Sequence, residues 1–184
     1  GIPYLVEACK ILKDQNIDFI CKIIGDGDER ANIEAQIVSL GLGDHIELMG
    51  WQTRPQVLEL LSQADAMVLP SVITGTGKME GVPVALMEAL AMTLPVVASD
   101  ISGVPELVIH EKTGMLAKER DPKGIADALI RIQQNPEWAA ELGQAGREHV
   151  LANFDQKKNA DALYALMTAS EASSQQVAQA ALAT

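Results

Sequence analysis

The stretch Glu80–Asp100 reads EGVPVALMEALAMTLPVVASD, and between its two end residues it holds a single ionisable group, Glu88. Pro83 has no N–H and a fixed φ, which suits the first turn of a helix. That helix is predicted to run through Ala89, Leu90 and Ala91 to about Met92, because Pro95 forbids its continuation. Its side chains are apolar nearly all the way round, which predicts burial. The run PVVAS that follows is short, β-branched and without alternation, the pattern of a buried parallel-type strand. Strands and helices alternate along the rest of the chain. The predicted fold class is therefore α/β, a Rossmann-like, mostly parallel sheet with helices on both faces.

A lone carboxylate on such a helix needs a partner, a solvent-open edge or a ligand, because an unpaired buried charge is costly. Glu80 precedes the helix on the loop that feeds its N-terminus. The first-turn N–H groups are unpaired and carry the positive end of the helix dipole, a natural place for phosphate. A carboxylate on each side of an anion site suits a ligand with hydroxyls on both sides of a phosphate. A nucleotide sugar is such a ligand, with a ribose diol at one end and sugar hydroxyls at the other. The bland alternative is a Glu88 salt-bridged within the domain and a Glu80 that caps the helix.

The motif Glu80-x7-Glu88, with Gly81 and Pro83 after the first carboxylate and VVASD after the helix, resembles the signature of retaining glycosyltransferase family 4. The resemblance implies the C-terminal, donor-binding half of a GT-B fold and covers nearly the whole chain. It implies that Glu80, the catalytic candidate, bonds hydroxyls of the donor sugar while backbone N–H groups of Gly81 and Val82 reach sugar and phosphate. Val84 and Ala85 would present N–H groups to the β-phosphate, and Glu88 would bind the ribose diol. No residue stands out as a nucleophile; in this class the leaving phosphate assists attack, so catalysis is positioning and charge stabilisation. No metal or other cofactor is implied, the nucleotide-diphosphate-sugar being the donor substrate.

Composition narrows the alternatives. The 184 residues are 48% hydrophobic and only 3% aromatic, so aliphatic helix–sheet packing must supply the core. A formal net charge of −11 argues against a nucleic-acid partner, which calls for a basic face. Cys9 and Cys21 fit neither C-x-x-C nor a metal-ligand spacing and read as reduced, buried thiols. His45, His110 and His149 are scattered, so neither a zinc site nor a Ser/His/Asp triad is indicated. No apolar run approaches the roughly 20 residues of a membrane span.

Leu5, Val6, Cys9 and Leu12 recur at helical spacing within residues 1–13. Residues 18–27 form a strand ending in Gly25-Asp-Gly27, and the following helix turns Ile33, Ile37 and Leu40 inward. A G-D-G of this kind sits beside the donor cleft in family 4; a tight β–α turn is an equal alternative. A strand over 45–49 ends at Gly50-Trp51-Gln52, followed by a helix over 55–63 and a strand over 66–70. By resemblance Trp51 and Gln52 approach the nucleobase, whereas a bland reading packs Trp51 over the sheet edge. Residues 71–79 form a loop beyond a strand C-terminus, where open α/β sheets bind ligands. Its GTGK fails the Walker pattern, which discounts an NTPase, and Lys78 reads as a surface lysine. Pro105 starts a short helix within a G-x-P-E motif, with Ser102 where family members usually carry a second glycine. An edge strand over 115–117 and helices from Pro122, Pro136 and about Asp155 complete the domain.

The expected organisation is a domain over residues 1–169, lacking its first strand and the short basic segment that neutralises the donor diphosphate in family members, and an Ala/Gln/Ser tail over 170–184. The chain is accordingly expected to be a fragment, inactive alone, whose acceptor meets a missing N-terminal domain. The loop before Glu80 is also similar to exopolysaccharide glycosyltransferases of the colanic-acid type. This implies cell-surface polysaccharide or glycolipid synthesis, a lipid-linked acceptor, and a cytoplasmic location with peripheral contact at the inner membrane face. The alternatives are a nucleotide-sugar epimerase of GT-B architecture and a non-catalytic Rossmann-like scaffold.

Overall fold

The computed structural model describes residues 1–168; the expected tail and Ala169 lie outside the described residues. Among the described residues, strands and helices alternate up to α6: α1 (Ile2–Asp14), β1 (Cys21–Ile24), α2 (Arg30–Ser39), β2 (Ile46–Gly50), α3 (Arg54–Ser62) and β3 (Met67–Leu69) come first. They are followed by α4 (Val84–Ala91), β4 (Val96–Ser99), α5 (Val104–Leu107), β5 (Met115–Ala117), α6 (Pro122–Gln134) and α7 (Pro136–Asn153). After a break at Phe154 and Asp155, residues 156–168 form a further helix. All strand pairings are parallel, as the fold class requires, but they fall into two ladders, β1–β2 and β3–β4–β5. α1 spans both. Its Leu5, Val6, Cys9 and Leu12 share one core with Ile23 of β1, Ile46 of β2, Val68 of β3 and Ala117 of β5.

β4 shows why its sequence carries no alternation. Val96 and Ala98 point into a core with Leu86, Ala89 and Leu90 of α4, while Val97 points the other way, against Ala128 and Ile132 of α6. All four residues of the strand are buried, so each face must be apolar.

Cap chemistry sets the helix ends. The Asp121 carboxylate accepts from the Gly124 N–H at 2.9 Å at the start of α6, and Gln56 Oε1 accepts from the Thr53 N–H at 2.9 Å at the start of α3. Gly41 ends the α2 segment at φ 66°. Cys9 is buried and Cys21 half-buried, both as free thiols. Donation to Cys21, and then burial, push the Cys9 thiol well above the usual thiol range; accepting that bond lowers Cys21.

α4 and α7 meet through glycine. A Cβ on Gly143 would lie 1.9 Å from the Thr93 carbonyl oxygen, and one on Gly146 2.5 Å from Leu90 Cδ2. Arg147 adds a hydrogen bond to the Ala91 carbonyl, so α7 grips the C-terminal end of α4 and the turn behind it. Gly143→Ala should therefore lower the unfolding free energy by about 2 kcal/mol in urea denaturation. This loss arises although alanine favours a helix interior by about 1 kcal/mol. A neutral or stabilised variant would show that the two backbones do not approach in this way.

Candidate functional site

The candidate residues collect at the C-terminal ends of the strands, joined by a series of short contacts. The Gly25 N–H donates to the Gly50 carbonyl at 2.8 Å, tying the Gly25-Asp-Gly27 loop to the Gly50-Trp51-Gln52 loop. Gly25 needs its φ of 129° and Gly50 its φ of 64°, a region that L side chains adopt at a cost. Gly25 and Gly27 border a concavity of about 260 Å³ that they share with Ile2, Ile24 and Arg30. The start of α1 thus lies at the same end of the sheet.

Trp51 is 74% exposed, which overturns the reading that packs it over the sheet edge. The indole is thus left in water just past the end of β2. Gln52 turns its amide back onto its own loop, Nε2 donating to the Met49 carbonyl at 2.7 Å.

Two residues further on, the Thr53 cap places Arg54 at the first position of α3. Arg54 Nε donates to Glu88 Oε1 at 2.8 Å, with the arginine side chain 76% and the glutamate 19% exposed. The lone carboxylate of α4 therefore has a partner, 34 residues away in sequence. One part of the bland reading holds, an ion pair inside the domain, but one half of that pair stands in solvent.

α4 begins at Val84 with Pro83 as its N-cap, and no side chain caps it. Glu80 thus does not act as the cap, and its exposed carboxylate has no hydrogen bond or ion pair among the described residues. The expectation that α4 is buried all round also fails at this end. Val84 is 65% exposed and Ala85 is exposed, whereas Leu86, Ala89 and Leu90 are fully buried. The physical reason is position: only the part of the helix covered by β4 and α7 leaves water. The first-turn N–H groups consequently open on solvent, on one short unit with both carboxylates.

The Glu80-Gly81-Val82 segment rests on the turn before α5. A Cβ on Gly103 would fall 2.7 Å from the Gly81 carbonyl oxygen and 3.0 Å from Val82 Cγ2, so only glycine fits there. Ser102, standing where the resemblance expects glycine, adopts a φ of 50°. Glu106, the acid of the G-x-P-E motif, makes no side-chain cap bond. His110 Nδ1 accepts from the Leu116 N–H at 3.0 Å, a structural role. Arg54 is the residue that sequence reasoning passed over, whereas Gly103 is the glycine of the G-x-P-E motif. The Thr53-x-x-Gln56 box was a legible sign that Arg54 opens a helix; nothing in the sequence pairs it with Glu88.

Among the described residues no three His, Cys, Asp or Glu side chains gather as a metal-binding group, and no helix is long and apolar enough to cross a membrane.

Residues 1–149 match the family model described as glycosyl transferases group 1. The amylovoran biosynthesis glycosyltransferase AmsK of Erwinia amylovora is 40% identical over 156 residues, covering 85% of this chain and 38% of AmsK. The Escherichia coli glycosyltransferase WcaL, named for colanic acid biosynthesis, is 37% identical over 158 residues, covering 85% of this chain and 39% of WcaL. The chain thus spans about two fifths of the length of these relatives. Among solved structures, the C-terminal domain of a group 1 family glycosyl transferase from Francisella tularensis superposes with a TM-score of 0.72 at 21% identity, over 85% of this chain and 80% of that one. S. aureus TarM, in a crystal with UDP, superposes with a TM-score of 0.77 at 24% identity, over 90% of this chain and 32% of TarM. With its family model covering most of its length, the chain belongs to the group 1 glycosyl transferases.

Proposed function

We propose that this chain is the donor-binding domain of a retaining glycosyltransferase that moves a sugar from a nucleotide sugar to an acceptor hydroxyl in exopolysaccharide synthesis. The observation that carries the reading is the unit Glu80–Glu88: an unpartnered carboxylate, then open helix amides, then a second carboxylate whose partner stands in solvent. The names of AmsK and WcaL support the polysaccharide product, and UDP in the TarM crystal supports a nucleotide ligand for this fold.

In this reading the Val84 and Ala85 N–H groups receive the β-phosphate, whose charge the helix N-terminus favours. Gly81 and Val82 offer backbone N–H groups to the phosphate and the sugar. Glu88 accepts hydroxyl protons from the ribose diol while Arg54 holds its carboxylate in place. Trp51 offers an exposed face for the base to stack on, with Gln52 beside it, and Gly25 and Gly27 keep the neighbouring lip low. Glu80 accepts from hydroxyls of the donor sugar and fixes the anomeric carbon against the incoming acceptor. The leaving phosphate assists attack by taking the acceptor proton, and no metal enters the scheme. The acceptor would come from a second domain, as a sugar or lipid-linked chain presented at the inner membrane face.

Calorimetric titration of the chain with UDP, GDP and ADP tests the reading, with Glu88→Ala alongside. One nucleotide should bind, and the variant should weaken it at least about tenfold, the loss of a charged-group hydrogen bond. Glu88→Gln should move the unfolding free energy by less than about 1 kcal/mol, because its ion pair is half in water. A large loss of stability with unchanged nucleotide affinity would refute the ribose role.

A separate check comes from Gly103→Ala. Pressing a methyl group on the Gly81 carbonyl should weaken nucleotide-sugar binding while the start of α4 stays folded; unchanged affinity would mean that Gly81 takes no part.

A further inference from the structure

The loop that delivers Glu80 is fastened at a single residue by two consecutive side chains from another part of the sheet. The Ile73 N–H donates to Glu119 Oε1 at 2.9 Å, and the Ile73 carbonyl accepts from Arg120 Nη2 at 2.9 Å. The clamping pair is itself joined, Arg120 Nε lying 3.2 Å from Glu119 Oε1. Both backbone groups of Ile73 are thus taken by charged partners 46 and 47 residues away, just beyond the C-terminal end of β5. Arg120 holds a φ of 58°, a left-handed conformation unusual for a residue with a long side chain. A sparsely populated backbone geometry of this kind persists only where its surroundings demand it.

Beyond Ile73 the loop closes on itself. The Thr74 N–H donates to the Lys78 carbonyl at 2.9 Å, the Gly77 N–H to the Thr74 carbonyl at 2.9 Å, and the Lys78 N–H to Thr74 Oγ1 at 3.0 Å. A turn so closed moves as one piece, and Glu80 leaves it two residues later. Its direction is therefore set at the Ile73 clamp on one side and at the Gly81–Gly103 approach on the other.

We infer that Glu119 and Arg120 are positioning residues for Glu80, holding the loop so that its carboxylate meets the sugar of the donor. The inference rests on the donor-binding reading above. It makes a distinction that reading does not. Of the nucleotide contacts, only those of Gly81 and Val82 lie near the loop, and these two are propped separately at Gly103; the others sit on α4 and the Gly50 loop, so loosening the clamp costs affinity chiefly for the sugar part. Neither residue touches the donor.

The test compares each nucleoside diphosphate with its sugar conjugate on the same protein: UDP with UDP-glucose, GDP with GDP-mannose, ADP with ADP-glucose. The affinity ratio within a pair measures the sugar contact. In Glu119→Ala the ratio should fall by about tenfold, one well-placed charged hydrogen bond, with the diphosphate affinity unchanged. Glu119→Gln keeps an oxygen for the Ile73 N–H and should restore part of the ratio. Arg120→Lys, which cannot hold both partners with one planar fork, should fall between wild type and Glu119→Ala. Amide exchange at residues 73–78 should quicken in the same order, whatever the melting temperature does. An unchanged ratio in folded Glu119→Ala, or diphosphate and sugar affinities falling together, would overturn the clamp while leaving the donor-binding reading intact. Failure of the wild-type chain to bind any member of the three pairs would defeat the donor-binding reading itself and this inference with it.

Discussion

Helix α4 is fastened at one end only, and the site depends on that asymmetry. Leu86, Ala89 and Leu90 are fully buried between β4 and α7, and Gly143 lets the two backbones meet without an intervening side chain. Burying a leucine contributes roughly 2 kcal/mol relative to leaving it in water, so the two leucines together outweigh the exposure of Val84. The helix is thereby held firmly while its first turn stays open. An eight-residue helix would be marginal alone in water, so its open N-terminus exists only because α7 and the sheet hold the other end.

Charge adds a second constraint. The chain carries a formal net charge of −11, and the long-range field of such a chain opposes an anion. Anything that binds a diphosphate here has to overcome that field locally, over a few ångströms. The helix N-terminus supplies about half a positive charge, while the full charge of Arg54 is offset by its partner Glu88. Because the arginine is mostly in solvent, the pair contributes at most about 1 kcal/mol. It keeps the glutamate oriented without locking it, so a hydroxyl-bearing ligand can share the carboxylate at little cost.

Much of the architecture was legible in the residues themselves. PVVAS could only be a strand covered on both faces, Pro95, Pro122 and Pro136 punctuated the helices, and the apolar spacing of Leu5, Val6, Cys9 and Leu12 named the buried face of α1. What stayed hidden concerns neighbours rather than faces. Periodicity says that Glu88 lies on a helix; it does not say that Arg54 arrives from 34 residues away. It says that α4 is apolar, not that Val84 lies past the edge of what covers it. Trp51 illustrates the same limit, since a strand-end tryptophan reads as packing until the structure leaves it 74% in solvent. The division of the strands into two ladders, bridged by α1, has no local signal at all.

The arrangement separates two tasks that the chemistry of a nucleotide sugar also separates. Phosphate and ribose are common to many such donors, and the groups proposed to meet them sit on α4, whose place is fixed by core packing. The sugar is what varies, and the group proposed to meet it sits on a loop hung from Ile73 and propped at Gly81. A loop tethered at two points can be re-aimed by changing its tethers while every core contact stays as it is. A site built into the core would need compensating changes among close-packed neighbours, each with its own cost. In the proposed reading, selectivity for the donor sugar would then reside in the least expensive place to alter, at the tethers Glu119, Arg120 and Gly103.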